Sequence, residues 1–264
     1  MARYRFALAP KWIVSHLFVL ALIITMINLG LWQLRRLDDK RARNDKIEAH
    51  IAAATVPVTD LVGADDPEAA VGPVEFRRVT ATGRYLADDE VLVRSRSLDG
   101  APGSWVLTPL DLGDGTAVVV NRGWISDNGS LTRVPSNVAA PSGQVEVTGL
   151  LRPSETRGSF GPKDPPTGTL RTLARADVDR LDQQVDAELL PGWIQLVEQD
   201  PAVGADDPKP VPRPELDEGP HLSYAFQWFF FTSVAVVGYP LILRRRAREV
   251  EIEALGDPDP VPSA

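Results

Sequence analysis

The chain reads as an α+β membrane protein: two transmembrane helices, one near each end, enclosing an antiparallel β-barrel or sandwich-like domain with one inserted helix. Three observations carry that expectation. Residues 12–34 and 222–243 are apolar runs free of Asp, Glu, Lys and Arg, each close to the ~20 residues that a helix needs to cross a bilayer. Between them lie short stretches of β character divided by Gly, Pro and Asp. The chain contains no cysteine, so the enclosed domain must be held by its own core rather than by disulfides, and residues 35–220 are numerous enough to build one.

Taken in order, residues 1–11 form a cytoplasmic N-terminus carrying Arg3, Arg5 and Lys11. The first run resembles a signal peptide only in those flanking charges. It continues through Gly30, Leu31, Trp32, Gln33 and Leu34 into Arg35 and Arg36, well past the ~15 residues of a signal h-region, which predicts an uncleaved span. Residues 35–54 are charged and Ala-rich and extend the helix until Pro57 breaks it. An acidic small-residue loop follows at 63–73.

The β core is expected over about 74–200, with strands at 76–85, 90–96, 105–112, 116–124, 144–151 and 193–198 and a turn at Gly113-Asp114-Gly115. Residues 159–168 make a Gly/Pro loop. Leu173, Val178, Leu181 and Val185 have helical spacing and predict a helix over 173–185. Residues 201–220 read as a Pro-rich acidic linker, 222–243 as the second span, and 244–264 as a cytoplasmic tail that is disordered at its end.

Charge is unevenly distributed. Residues 37–220 hold 19 Lys and Arg against 31 Asp and Glu, a net of −12, and lack the basic stripe that phosphate binding requires, so no nucleic-acid partner is expected. Arg244, Arg245, Arg246 and Arg248 after the second span place both termini in the cytoplasm and the domain outside it, in a multi-pass protein of a bacterial plasma membrane. Arg35, Arg36, Lys40, Arg41, Arg43 and Lys46 then stand on the outer side, against that rule. Only His16, His50 and His221 occur, which excludes a histidine-dependent hydrolytic triad or a multi-histidine zinc site in the domain.

Three motifs concentrate chemistry. In the first, Gly30, Trp32, Gln33, Arg35 and Arg36 put a small residue, an aromatic, an amide and two cations at the mouth of the first span; interfacial anchoring explains part of this. The second is Asn121-Arg122-Gly123-Trp124 at the end of a strand. Its Gly suggests a bulge or a close backbone approach, and its Arg and Trp serve either a partner or the core, with the core the preferred reading. In the third, His221, Tyr224 and Trp228 fall at i, i+3 and i+7 of a helix and share one face, with Gln227 nearby. That face is either an aromatic belt or a place where imidazole ligates a haem iron.

Together these motifs resemble the Surfeit locus protein 1 family of cytochrome c oxidase assembly factors. Leu29, Gly30, Trp32, Gln33, Arg36 and Lys40 match its first-helix pattern; Phe76, Val79, Gly83 and Tyr85 its opening strand; and Asn121, Arg122, Gly123 and Trp124 its Asn-Arg-Gly-aromatic strand. Val147, Gly149 and Arg152 match a further strand, and residues 221–229 the start of its last helix. Gly219-Pro220 stand where the family often has asparagine, and Gln227 where it often has threonine or serine.

The resemblance implies a non-enzymatic factor for assembly of the haem-copper oxidase. It would handle haem a for the catalytic subunit and act alongside other assembly factors, with His221 as the iron ligand. Tyr224, Trp228, Trp32, Gln33 and Arg36 would then surround the cofactor, and Arg35, Arg36 or Lys40 would pair with its propionates or with anionic headgroups of the lipid bilayer. A permanent accessory subunit that carries no haem is the alternative; a membrane-tethered enzyme or sensor is disfavoured by the scarcity of His and the lack of Cys. The charge distribution predicts that protease added to intact spheroplasts degrades residues 37–220 and spares the C-terminal tail. Protection of the domain until the membrane is broken would overturn that topology.

Overall fold

A computed structural model describes residues 2–63, 71–202, 204 and 208–255. Most of the expected acidic loop at 63–73 and the end of the tail lie outside the described residues. The chain divides into two compact units, one made of residues 1–44 and 216–264, the other of residues 45–215. Its elements are α1 (Pro10–Ala52), β1 (Val56–Pro57), β2 (Arg78–Tyr85), β3 (Val91–Leu98), β4 (Ala101–Asp111) and β5 (Thr116–Ser126). They continue with β6 (Gln144–Arg152), β7 (Thr172–Leu173), α2 (Val178–Asp182), β8 (Glu188–Asp200) and α3 (His221–Leu255).

In the first unit α1 and α3 each contain a segment long and apolar enough to cross a membrane. They run antiparallel, because Gln33 meets His221 near one end of the pair and His16 meets Tyr239 near the other. The less exposed positions of α1, among them Ile23, Met26, Gly30, Gln33 and Leu37, recur at alternating intervals of three and four. So do His221, Ala225, Trp228, Thr232, Ala235 and Tyr239 on α3, which is the seam of two helices packed side by side. Gly30 permits the close approach: a Cβ there would lie 2.8 Å from the ring of Phe229.

His16 lies inside the apolar run and is fully satisfied. Its Nδ1 meets the Tyr239 hydroxyl at 2.7 Å and its Nε2 the Ala7 carbonyl at 3.1 Å, while Tyr239 also bonds Ser15 Oγ at 2.9 Å. In hydrocarbon an unpaired imidazole is costly, so this cluster closes one end of the hairpin.

The second unit is one eight-stranded sheet in the order β1-β2-β6-β8-β5-β4-β3-β7. The far end of β2 also pairs with β4 at Arg84↔Asp111 and Tyr85↔Leu110, a contact of two residue pairs that curls the sheet back toward itself. The expectation of purely antiparallel strands needs correction: β1–β2, β3–β7 and β5–β8 are parallel. The connection between β5 and β8 carries β6, β7 and α2, and a long crossover of this kind is what a parallel pair demands. β5 explains the unbroken apolar run at 117–120. Val118 and Val120 join one core cluster with Tyr85, Val147 and Ile194, whereas Ala117 and Val119 join another with Leu107, Leu173, Leu181 and Trp193. A strand buried on both faces has no alternation to show.

Other boundaries shift for local reasons. β4 begins at Ala101 rather than 105, because Asp99 and Gly100, at φ 51° and 79°, form the two-residue turn that joins it to β3. β8 begins at Glu188 rather than 193; Pro191 and Gly192 look like a break in the sequence, yet Gly192 adopts φ 86° where a Cβ would meet the Arg152 carbonyl at 2.5 Å. The helix expected over 173–185 shrinks to α2. Leu173 pairs with Val93 as a strand, and Asp177 starts α2 by accepting the Arg180 N–H at 3.0 Å. Leu173, Val178, Leu181 and Val185 reach the same core cluster through different backbone conformations, and this imitated helical spacing.

The segment expected as a free linker is partly docked. Lys209 and Trp124 exchange two backbone hydrogen bonds of 2.7 and 2.8 Å, and Gln195 Nε2 donates to the Val211 and Pro212 carbonyls at 3.0 Å. Gly123, at φ 140°, makes room for this strap: a Cβ would fall 2.4 Å from the Lys209 carbonyl oxygen. Gly123→Ala should therefore destabilise the domain by about 2–3 kcal/mol and expose residues 208–212 to limited proteolysis of the detergent-solubilised protein. An unchanged melting temperature and digestion pattern would contradict the strap.

Candidate functional site

The sequence motifs of the two apolar helices meet within the first unit. Asp217 Oδ1 accepts the Gly219 N–H at 2.9 Å, Gly219 adopts φ 72°, and Pro220 leads into α3, whose first turn closes through Tyr224 N–H to the Pro220 carbonyl at 3.1 Å. The Gly219-Pro220 pair thus makes the turn that delivers His221 as the first residue of the helix. Ser223 Oγ donates to the same Pro220 carbonyl at 2.8 Å.

His221 is half-buried against α1, and its Nδ1 lies 2.8 Å from Gln33 Oε1. An amide oxygen only accepts, so Nδ1 carries the proton and the neutral ring keeps its lone pair on Nε2. Among the described residues no group hydrogen-bonds Nε2. A Cβ at Gly219 would come within 3.5 Å of Nε2, so glycine leaves that side of the ring open. A hydrogen bond at one ring nitrogen that fixes the tautomer is also how metal-ligating histidines are oriented.

Around this pair the motif residues take different environments. Trp32 and Tyr224 are 48 % and 47 % exposed, and Arg36 is exposed, whereas Lys40 is half-buried. His221, Tyr224 and Trp228 share one side of α3 by their spacing, with His221 and Trp228 along the seam beside the buried Ala225 and the exposed Tyr224 at its flank. Gln33, Arg36 and Lys40 share one side of α1 by their spacing.

A second contact in this unit was not anticipated. Arg41 donates from Nε and Nη2 to the two carboxylate oxygens of Glu218, each at 2.9 Å. One member of the basic cluster that follows the first apolar run therefore clasps the chain just before α3. The hydrogen bonds from Arg41 hold the Glu218 carboxyl below the usual glutamate range. Only the local charge signs at 41 and 218 hinted at it, and residues this far apart do not reveal a pairing.

Asn121, Arg122, Gly123 and Trp124 belong to the second unit and are all buried there. Arg122 donates to the Val138 and Ala139 carbonyls at 2.9 and 3.1 Å and pairs with Glu90 at 3.5 Å. Trp124 Nε1 donates to the Arg96 carbonyl at 3.0 Å, and Asn121 Oδ1 accepts the Gly123 N–H at 3.1 Å. This motif binds the sheet to its own loops, as the core reading expected. Glu90 is raised above the usual range by burial, which the Arg122 charge only partly offsets.

Since the folded Glu218 carboxyl is depressed, the clasp stabilises the protein above the ordinary glutamate range and is lost as pH falls through the depressed value. Arg41→Ala should return the Glu218 titration upward to the ordinary range, read by carboxyl carbon chemical shifts in selectively labelled protein. An unaltered titration would remove the clasp.

The model of the SURF1 family matches residues 20–233, which takes in the first motif, the whole sheet and the start of α3. A SURF1-like protein of Mycobacterium tuberculosis is 30% identical over 263 residues, covering 98% of this chain and 93% of its own length. One from Rickettsia felis is 27% identical over 241 residues, covering 89% of this chain and 99% of its own. The cytochrome oxidase assembly protein SHY1 of Saccharomyces cerevisiae is 31% identical over 151 residues, covering 55% of this chain and 38% of its own. With a family match across most of its length, joining both apolar helices to the sheet between them, the chain belongs to the SURF1 family.

Proposed function

We propose that this protein is a membrane assembly factor for cytochrome c oxidase and that it binds haem a, through His221, on the way to the catalytic subunit. The assembly role draws support from family membership and from the assembly function named for the yeast relative. The haem role rests on one observation: His221 Nδ1 is committed to Gln33 at 2.8 Å, leaving Nε2 as a free donor at the mouth of an apolar helix pair. Neutral imidazole in that state suits a ferric or ferrous haem iron.

The chain's own residues divide the work. Gln33 sets the tautomer and ring orientation; Gly219 keeps the approach to Nε2 open; the exposed rings of Trp32 and Tyr224 supply apolar surface for a flat ligand. Arg36, exposed, and Lys40 offer cations for carboxylates such as propionates. Haem a, when bound, supplies the iron to be ligated and the group to be transferred. In this reading both termini are cytoplasmic, the sheet domain is outside, and the protein acts with oxidase subunits and other assembly factors.

His221→Ala should insert and accumulate normally yet lose the haem absorption of protein purified from a host that makes haem a, and lower the yield of active oxidase. Gln33→Ala should keep part of the haem but with a shifted Soret band, since only ring orientation is lost. Arg36→Ala should weaken retention less than His221→Ala. Unchanged haem content and spectrum in His221→Ala would refute the ligand assignment. Recovery of the protein at stoichiometric level in mature oxidase would favour a permanent subunit.

A further inference from the structure

A cavity of about 730 Å³ in the sheet domain is lined by Arg94, Ser95 and Arg96 of β3 together with Glu155, Ala174 and Arg175. A second cavity, of about 510 Å³, shares Arg94, Ser95 and Arg96. β3 has β4 on one flank along its length, but β7 covers the other flank only at Leu92 and Val93. Beyond Val93 the register with β4 slips and Ser95 adopts φ 60°. Among the described residues no strand and no backbone hydrogen bond meets the outer edge of residues 94–98. β7 leaves this edge after Leu173, and Ala174 and Arg175, which follow it, line the larger cavity together with the open edge of β3.

Its charge is specific. Asp164 receives the Ala174 N–H through both oxygens, at 3.1 and 2.9 Å, and reaches Arg94 only at 3.5 Å. Arg94 is 46 % exposed. Arg175 gives one bond of 2.7 Å to the Pro162 carbonyl. Glu155 is occupied by Arg96 and by the Ala176 N–H, and Arg96 lies 4.0 Å from the centre of the Trp105 ring. Guanidinium donors thus remain at Arg94 and Arg175, both in the lining of the cavity, in a domain whose overall charge is strongly negative. Phe160, two residues before Pro162 of the cavity lining, is 92 % exposed, and among the described residues of this unit it is the sole large apolar side chain in that state.

We propose that this edge is a docking site for an extended acidic segment of a partner protein, which adds as a strand alongside residues 94–98. Backbone hydrogen bonds to the open edge give affinity, carboxylates at alternate positions pair with Arg94 and Arg175, and an apolar neighbour packs on Phe160. A bulge and charged side chains also protect an edge from its own copies. Protection requires neither a second arginine from outside the strand in the cavity lining nor an exposed phenylalanine close to it in sequence. A lipid headgroup would satisfy the arginines but leave the strand edge unpaired, so the edge favours a peptide.

The test uses full-length protein in zwitterionic detergent and three fluorescein-labelled peptides, alternating Glu with Val, Lys with Val, and Glu with Pro, read by fluorescence anisotropy. The Glu-Val peptide should bind at least ~10-fold more tightly than the other two, because one control reverses the charge and the other lacks alternate backbone donors. Arg94→Glu combined with Arg175→Glu should abolish that preference. Phe160→Ala, at an exposed position that cannot upset folding, should weaken binding about 3-fold. Equal binding of the Glu-Pro peptide would overturn strand addition. Absence of binding, binding unchanged in the double variant, or short-chain phosphatidylglycerol held by these arginines in place of the peptide would overturn the proposal.

Discussion

Two apolar helices in a bilayer gain nothing from hiding their surfaces from water, because lipid tails are as apolar as leucine; what pairs them is close packing and polar contact. Everything at the candidate site depends on that constraint. Gly30 lets the Phe229 ring approach, and its neighbourhood brings Gln33 within 2.8 Å of His221. A larger residue at 30 would push the helices apart at the level of the histidine. The small residue in the first motif and the imidazole in the last are therefore two halves of one arrangement. Proton placement on His221 follows from packing, since the same contact that closes the seam decides which nitrogen is left to donate.

The sheet domain obeys a different rule. Its central strand is covered on both sides, by a layer containing Val118 and Val120 and by a layer containing Ala117 and Val119, and its polar motif serves the same purpose. Arg122, buried, holds the 138–139 loop and partly offsets the cost of burying Glu90. Asp127 opposes Glu90 in its response to acid. Burial alone would raise its carboxyl, but the N–H groups of Leu131, Gly129 and Ser130 and the Ser104 hydroxyl bring it below the usual range. Stability from Asp127 is thus present above the ordinary aspartate range and lost as pH falls through the depressed value. Glu90, shifted upward, favours the fold below the ordinary glutamate range and loses that advantage as pH rises through its raised value.

Both long apolar helices were legible from composition, since an uninterrupted apolar run of this length marks them without any tertiary information. Strands at 78–85, 116–126 and 144–152 were legible to within two residues at each end, because turn residues bound them. Failures came where glycine and proline sat inside a strand, at Pro102-Gly103 and Pro191-Gly192, and read as breaks although each fits a bulge or a close approach. The parallel pairings were invisible because register between distant strands leaves no local mark. At the site, the chemical identities of Gln33 and His221 were legible, and their meeting across 188 residues of sequence was not. Arg41 and Glu218 were missed for the same reason. Asn121 to Trp124 drew attention as a motif, and its burial showed that a memorable sequence can be a structural fastener.

The two polar contacts of the helix pair also set an order in biogenesis. His16 and Gln33 enter the bilayer region with the first helix, but Tyr239 and His221 are synthesised 223 and 188 residues after them. Until the ribosome has delivered the last helix, the first holds an imidazole and an amide without their mates, each a burden in or beside hydrocarbon. A chain truncated before α3 would present those groups permanently. Completion of the helix pair thus does two things at once: α3 supplies the partners that His16 and Gln33 lack, and the same pairing sets the surroundings of His221.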